Sequence, residues 1–173
     1  MEVKDKFELD VVSIRLVKDA PLFSEKPATT PQEAAEMIWN HLKDFDREVM
    51  CVINFKCNMT PINVNFVSMG TVNKTLASPR ELLKSSFLSN AAYIMMVHNH
   101  PSGSAKPSEN DKEITGRMDD LCNMAGIPLI DHIIISAEQE NYYSFKEHGL
   151  LNKYKDIPEI GKLVAEKLNE RSR

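Results

Sequence analysis

Long apolar runs are missing from these 173 residues. No stretch reaches the ~18 to 20 consecutive apolar positions that a bilayer-spanning helix needs. The opening Met1-Glu2-Val3-Lys4-Asp5-Lys6 holds no signal-peptide core, so a cytoplasmic location without a membrane partner is expected. Cysteine is scarce. Cys51, Cys57 and Cys122 are an odd number with no CxxC spacing, which argues against a disulfide framework and a thiolate zinc knuckle and leaves buried reduced thiols. An excess of positive charge is also missing: 21 basic side chains face 25 acidic ones, and residues 31–151 hold 10 and 15. A duplex-binding module ordinarily presents a basic face, so nonspecific nucleic-acid binding is not expected. Only the tail, residues 152–173, leans basic. With six glycines in all, no glycine-rich loop cradles a phosphate, and there is no internal repeat. What remains, at 42% hydrophobic and 27% charged, is the composition of an ordinary globular domain, and the length suits one core.

The chain divides into three parts. Residues 1–30 hold a β-rich stretch around Val11, Ile14, Leu16 and Val17, then a linker with Pro21 and Pro27, and read as an N-terminal β-arm. Residues 31–149 form the domain proper. Thr30-Pro31-Gln32-Glu33 is a helix start with the capping pair three apart, followed by the stripe Ala34, Met37, Ile38 and Leu42. Val49–Phe55 and Ile62–Val67 read as two strands, the second alternating and therefore wet on one face. Ser78-Pro79-Arg80-Glu81 opens a second helix carrying Leu82, Leu83, Phe87 and Leu88, which feeds a buried strand over residues 91–97. Ser108 to Ala125 has Ile114, Met118, Leu121 and Cys122 at helical spacing and stops at Gly126, before a strand over residues 128–136. Ser144 to Gly149 reads as a one-turn helix with a capping box, and residues 150–173 as a tail with an amphipathic helix over 158–170. Alternating helices and strands predict an α/β fold with helices packed on a mostly buried sheet.

The chemistry concentrates in His98-Asn99-His100-Pro101-Ser102-Gly103, which runs on to Ser108-Glu109-Asn110-Asp111. On a strand, residues two apart share a face, so His98 and His100 form a chelating pair. Pro101, Gly103 and Pro107 force a turn that brings back a helix start with Ser108 as N-cap and Asp111 at the third position. Taken singly, each element has a plain structural reading: a surface histidine pair, a helix cap. Together, two imidazoles and a carboxylate suit Zn²⁺, and three protein ligands leave a fourth position for water. Such a centre lowers the water's pKa towards ~7 and needs a carboxylate to take the proton. Glu109 follows the cap and points away; Glu48, at the mouth of the first strand, is the candidate base. Asp131-His132 is either a second site or a histidine hydrogen-bonded within a strand, while His41 and His148 read as surface residues.

The pattern His98-x-His100-Pro101, six residues, then Ser108-x-x-Asp111 resembles the JAMM motif of JAB/MPN-domain metalloproteases. His98-Asn99-His100-Pro101-Ser102-Gly103 resembles the RadC-like branch, as do Ser78–Leu82, Asn90–Ala92, Gly126–Ile135 and Tyr143–Phe145. Asn99 stands where eukaryotic JAMM enzymes commonly have Ser or Thr. The resemblance implies a central mixed β-sheet flanked by helices. It further implies zinc on His98, His100 and Asp111, a base at Glu48, and Ser108 helping to hold the tetrahedral oxyanion.

Three functions follow as expectations. The first is a zinc-dependent hydrolase, a metallopeptidase or isopeptidase acting on a peptide or protein. The second is a non-catalytic accessory or binding protein of a DNA-repair or mobile-element complex. The third, minor, is a nucleotide or base hydrolase using the same metal. Longer RadC proteins carry an N-terminal helix-hairpin-helix region, which residues 1–30 do not match, and this weakens a DNA-repair role. The arm and the tail are candidates for homo-oligomer contacts or for docking a partner.

Overall fold

The computed structural model describes residues 13, 15–19, 30–69, 78–136 and 141–151. Three helices and five strands lie within them: α1 (Pro31–Leu42), β1 (Val49–Phe55), β2 (Pro61–Met69), α2 (Pro79–Leu88), β3 (Tyr93–His100), α3 (Glu109–Ala125), β4 (Leu129–Ser136) and β5 (Tyr142–Ser144). The strands form a single sheet in the order β2-β1-β3-β4-β5. The β3–β4 pair is parallel and the others antiparallel, so α3 is the crossover that a parallel pair requires. This is the expected mixed α/β architecture.

Apolar residues fill both faces of the sheet. On one face, Ala34, Ile38 and Leu42 of α1 pack against Val49, Cys51, Ile53, Val97, Ile133 and Ile135. On the other, Leu82 and Leu83 of α2 and Met118 and Cys122 of α3 cover Met50, Val52, Ile94, Met96 and Leu129. β1, β3 and β4 are buried along their whole length, as strands sandwiched between helices must be. The site forms at the C-terminal end of β3. No helix among the described residues is long and apolar enough to cross a membrane.

The helix starts are built as their sequences dictate, with one exception. Thr30 and Glu33 form a reciprocal capping box, and so do Ser108 and Asp111. Ser78 makes no side-chain cap: the Glu81 N–H bonds the Ser78 carbonyl, and the Glu81 carboxylate pairs with Lys84. The stripe on α2 also differs. Its buried face is Leu82, Leu83, Ser85 and Ser86, whereas Phe87 and Leu88 are exposed. Leu82, Ser85 and Ser86 stand at i, i+3 and i+4, and this row lies over Asn54 of β1, which bonds Ser85 Oγ at 3.1 Å. Leu121 of α3 is likewise partly exposed.

β2 has no simple wet face. Bulges in its pairing send Val64 towards the α1 side and Ile62 and Val67 towards the other, and Asn63 is tied to Asn54 and Ser89. Of the thiols, Cys51 and Cys122 are buried, and burial pushes each up to about 12. Cys57, in the β1–β2 turn, is exposed, which corrects the expectation for that residue. Ser144 ends β5 and leads into a hydrogen-bonded turn closed by Gly149 at φ 70°; its Oγ accepts from Glu147 N–H, while the Glu147 carboxylate accepts from the Tyr142 hydroxyl. Ser13 and residues 15–19 are exposed and outside any strand. The rest of the expected β-arm, and the helix expected over 158–170, lie outside the described residues.

Candidate metal centre

His98 and His100 occupy the last turns of the β3 pleat and project towards α3. Their Nε2 atoms are 3.0 Å apart. Asp111, in the first turn of α3, closes the group: its Oδ1 lies 3.3 Å from His98 Nε2 and its Oδ2 3.5 Å from His100 Nε2. One ligand atom from each residue falls within 4.8 Å of the others, and all three residues are buried. Among the described residues this is the one cluster of histidine, cysteine or carboxylate groups able to hold an ion.

The connecting loop is what makes the convergence. Gly103, at φ +83°, turns the chain back, with its N–H bonded to the His100 carbonyl. Ala105 then packs onto Ile134 and Phe145, which fixes the loop to β4. The Ser104 carbonyl lies 2.9 Å from His100 Nδ1. A carbonyl only accepts, so His100 carries its proton on Nδ1 and presents the Nε2 lone pair to the cluster. At the far side, Asp111 Oδ2 accepts from Ser108 N–H at 2.7 Å and from the Ser108 hydroxyl at 2.6 Å. The hydroxyl of Ser108 is therefore engaged by the ligand carboxylate while its oxygen caps α3.

Glu48 sits immediately before β1. The register pairs Met50 with His98, so two residues earlier Glu48 lies across from His100 on the same face. Its Oε1 is 4.0 Å from His100 Nε2, and its side chain is 22% exposed, at the mouth of the site. The structure thus brings together His98, His100, Asp111, Ser108 and Glu48. Glu109 points outward to Lys112, as expected.

Behind the ligands lies a set of contacts that the sequence reading did not resolve. His98 Nδ1 is 2.8 Å from Nε2 of His132, whose Nδ1 is 2.6 Å from Thr115 Oγ1, and Thr115 in turn bonds the Asp111 carbonyl. His132 stacks on Phe145 and is fully buried, which holds its pKa well below the ordinary value. Asp131 faces away from it, accepting from Ser144 Oγ at 2.6 Å and from the backbone of His132 and Lys146. Asp131 and His132 therefore do not form a second cluster; the histidine lies buried in β4 and is hydrogen-bonded to His98 of β3 and Thr115 of α3. The other omission is Asn99, whose amide bonds the backbone of Arg47 and Val49. The spacing Asp111-x-x-x-Thr115, one helical turn, was the available signal for Thr115.

The electrostatics favour a cation. Burial alone would raise the Asp111 pKa, but positive charge on the His100 and His98 side, together with the Ser108 hydroxyl, outweighs it and holds the carboxyl far below the usual range. Burial opposes charge on His100, and Asp111, the Ser104 carbonyl and Glu48 overcome that and raise its pKa. Imidazole lone pairs and a carboxylate aimed at one point repel each other unless a positive charge lies between them. A proton on His100 supplies it, and a divalent ion bound by nitrogen and oxygen fits the same donor set.

Comparison with known proteins agrees with this geometry. The RadC-like JAB domain family model matches residues 28–150. A UPF0758 protein of Clostridium acetobutylicum is 40% identical over 129 residues, 75% of this chain and 56% of that protein. A UPF0758 protein of Streptococcus sanguinis is 35% identical over 133 residues, covering 77% and 58%, and one of Desulforudis audaxviator 36% over 149 residues, covering 86% and 62%. The chain spans little more than half the length of these relatives. With the mixed sheet, its flanking helices and the histidine pair at the end of β3, the chain belongs to the RadC-like JAB domain family.

Proposed function

We infer that the protein is a zinc-dependent hydrolase cleaving amide bonds, a peptidase or isopeptidase. One observation carries the reading: three ligand atoms converge within 4.8 Å, and a carboxylate oxygen stands 4.0 Å from one of them at the open side. His98, His100 and Asp111 would hold the ion, which supplies an acidified water and polarises the scissile carbonyl. Glu48 is the base. Its carboxylate borders the ligand set yet is open enough for water and substrate to reach it, the position required of a group that takes a proton and hands it to the leaving amine. Ser108 has two duties in this reading. Its oxygen caps α3, and its hydroxyl can turn from Asp111 Oδ2 to the oxyanion as the carbonyl becomes tetrahedral, because the Ser108 N–H continues to hold that oxygen.

The test joins metal content to turnover. Tag-free protein should carry near one zinc per chain by elemental mass spectrometry, and His100→Ala should carry none. On a peptide or isopeptide library, Glu48→Gln should keep the zinc and lose roughly 10² to 10⁴-fold in rate. Full turnover by the zinc-loaded Glu48→Gln protein would refute the base. Zinc uptake without cleavage of any amide substrate would leave the domain a binding role.

A further inference from the structure

We propose that Thr115 and His132 are positioning residues that set the tautomer of His98 and thereby the affinity of the metal centre. The inference rests on the metal-centre reading above and adds residues to it that bind neither ion nor substrate.

The direction of each hydrogen bond is forced from one end. The Asp111 carbonyl can only accept, so the Thr115 hydroxyl spends its single proton there. Towards His132 Nδ1, 2.6 Å away, the Thr115 oxygen can then only accept, so His132 bears its proton on Nδ1. His132 is fully buried between His98, Thr115 and the ring of Phe145, and a neutral imidazole carries one N–H only. Its Nε2 is consequently an acceptor. His98 Nδ1, 2.8 Å from it, must be the donor, and the lone pair of His98 is left on Nε2 facing His100 and Asp111.

The relay starts at one ligand and ends on the backbone of another. It spans β3, β4 and α3, the elements that deliver the imidazoles and the carboxylate. Without the Thr115 oxygen, the His132 Nδ1 proton loses the acceptor that holds it there. The alternative tautomer, with the proton on Nε2, would donate to His98 Nδ1 and drive the His98 proton onto Nε2, where it blocks the ligand position. A single methyl-for-hydroxyl exchange two residues removed from the ion thus acts on the centre through proton placement.

Thr115→Val preserves shape and removes the oxygen; Thr115→Ser restores it. Zinc dissociation constants, measured against a chromophoric chelator near neutral pH, should be raised about 10 to 100-fold in Thr115→Val and stay within about threefold of the parent in Thr115→Ser. Two-bond proton–nitrogen spectra of the imidazole rings in the metal-free chain should show His98 and His132 both protonated on Nδ1 in the parent and in Thr115→Ser. Equal zinc affinity of parent and Thr115→Val overturns the relay and leaves the metal centre standing. A parent that takes up no zinc overturns the metal centre, and the inference falls with it. If Thr115→Val does not fold, the parent spectrum decides alone: a His98 protonated on Nε2 in the metal-free chain overturns the proposal.

Discussion

Asn99 brackets Glu48. The Asn99 Oδ1 accepts from the Val49 N–H at 2.7 Å, and its Nδ2 donates to the Arg47 carbonyl at 3.1 Å, so the residues on either side of Glu48 are clamped by one amide. Asn99 stands between the two histidines in sequence and points to the opposite face of the sheet. β3 therefore presents the imidazoles of His98 and His100 on one face and holds the segment that carries Glu48 with the other.

Asn99→Ala should separate these tasks. Zinc content should stay near that of the parent, because His98 and His100 keep their own supports. Turnover on an amide substrate should fall by up to about 10²-fold, the cost of a base displaced by an ångström. The loss of one buried and one partly buried hydrogen bond should also lower stability by about 1 to 3 kcal/mol. Loss of zinc together with activity would show that Asn99 supports the ligands instead.

Zinc itself should stabilise the fold. The donors come from β3 and α3, which meet only in the native state, so an ion held there is linked to folding. At free zinc about 1,000-fold above its dissociation constant, unfolding should require about 4 kcal/mol more than in excess chelator. Thermal denaturation with and without chelator measures this, and His100→Ala should show no difference between the two conditions.

Much of this arrangement was legible in the residues, and the illegible part has a physical cause. The His98-x-His100 spacing fixes two side chains on one face whatever surrounds them, and Ser108 with Asp111 is a local cap; both are short-range rules, and both hold. Glu48 needed a strand pairing, which only its position at a strand mouth hinted at. The partners of His132 and Asn99 are contacts across 17 to 52 residues, set by the order in which strands pair, and periodicity does not encode that order. The α2 stripe differs for the related reason that polar Ser85 meets a polar residue, Asn54, under the helix, with Ser86 buried beside it in the helix.

Gly126 offers a local test of α3. It stands at φ 69° as the left-handed cap, receiving the chain from the helix, and its Cβ position opens onto free space. Gly126→Ala should therefore lose about 1 kcal/mol through backbone strain alone, with no steric addition. Urea denaturation should show this with zinc affinity unchanged, since the capping box that holds Asp111 is at the other end. A much larger loss would indicate a packing role for the turn.

Asp131 predicts a pH dependence of stability. Burial raises its pKa to about 6, against the opposing hydrogen bonds from Ser144, Lys146 and His132. A carboxyl whose native pKa lies above its unfolded value near 3.8 favours the fold most when protonated. That contribution is complete below the unfolded value, declines as pH rises, and is lost once the native group ionises through about 6. Asp131→Asn cannot ionise and can keep the geometry, its oxygen accepting from the His132 and Lys146 N–H groups and its amide donating to Ser144 Oγ. The stability of Asp131→Asn relative to the parent should therefore rise by about 2 kcal/mol between about pH 4.5 and about pH 7.5. Denaturant unfolding of both proteins across that interval gives the difference free of other titrating groups. A difference that stays flat would mean that the three donors compensate the burial in full and leave Asp131 ionised at its unfolded value.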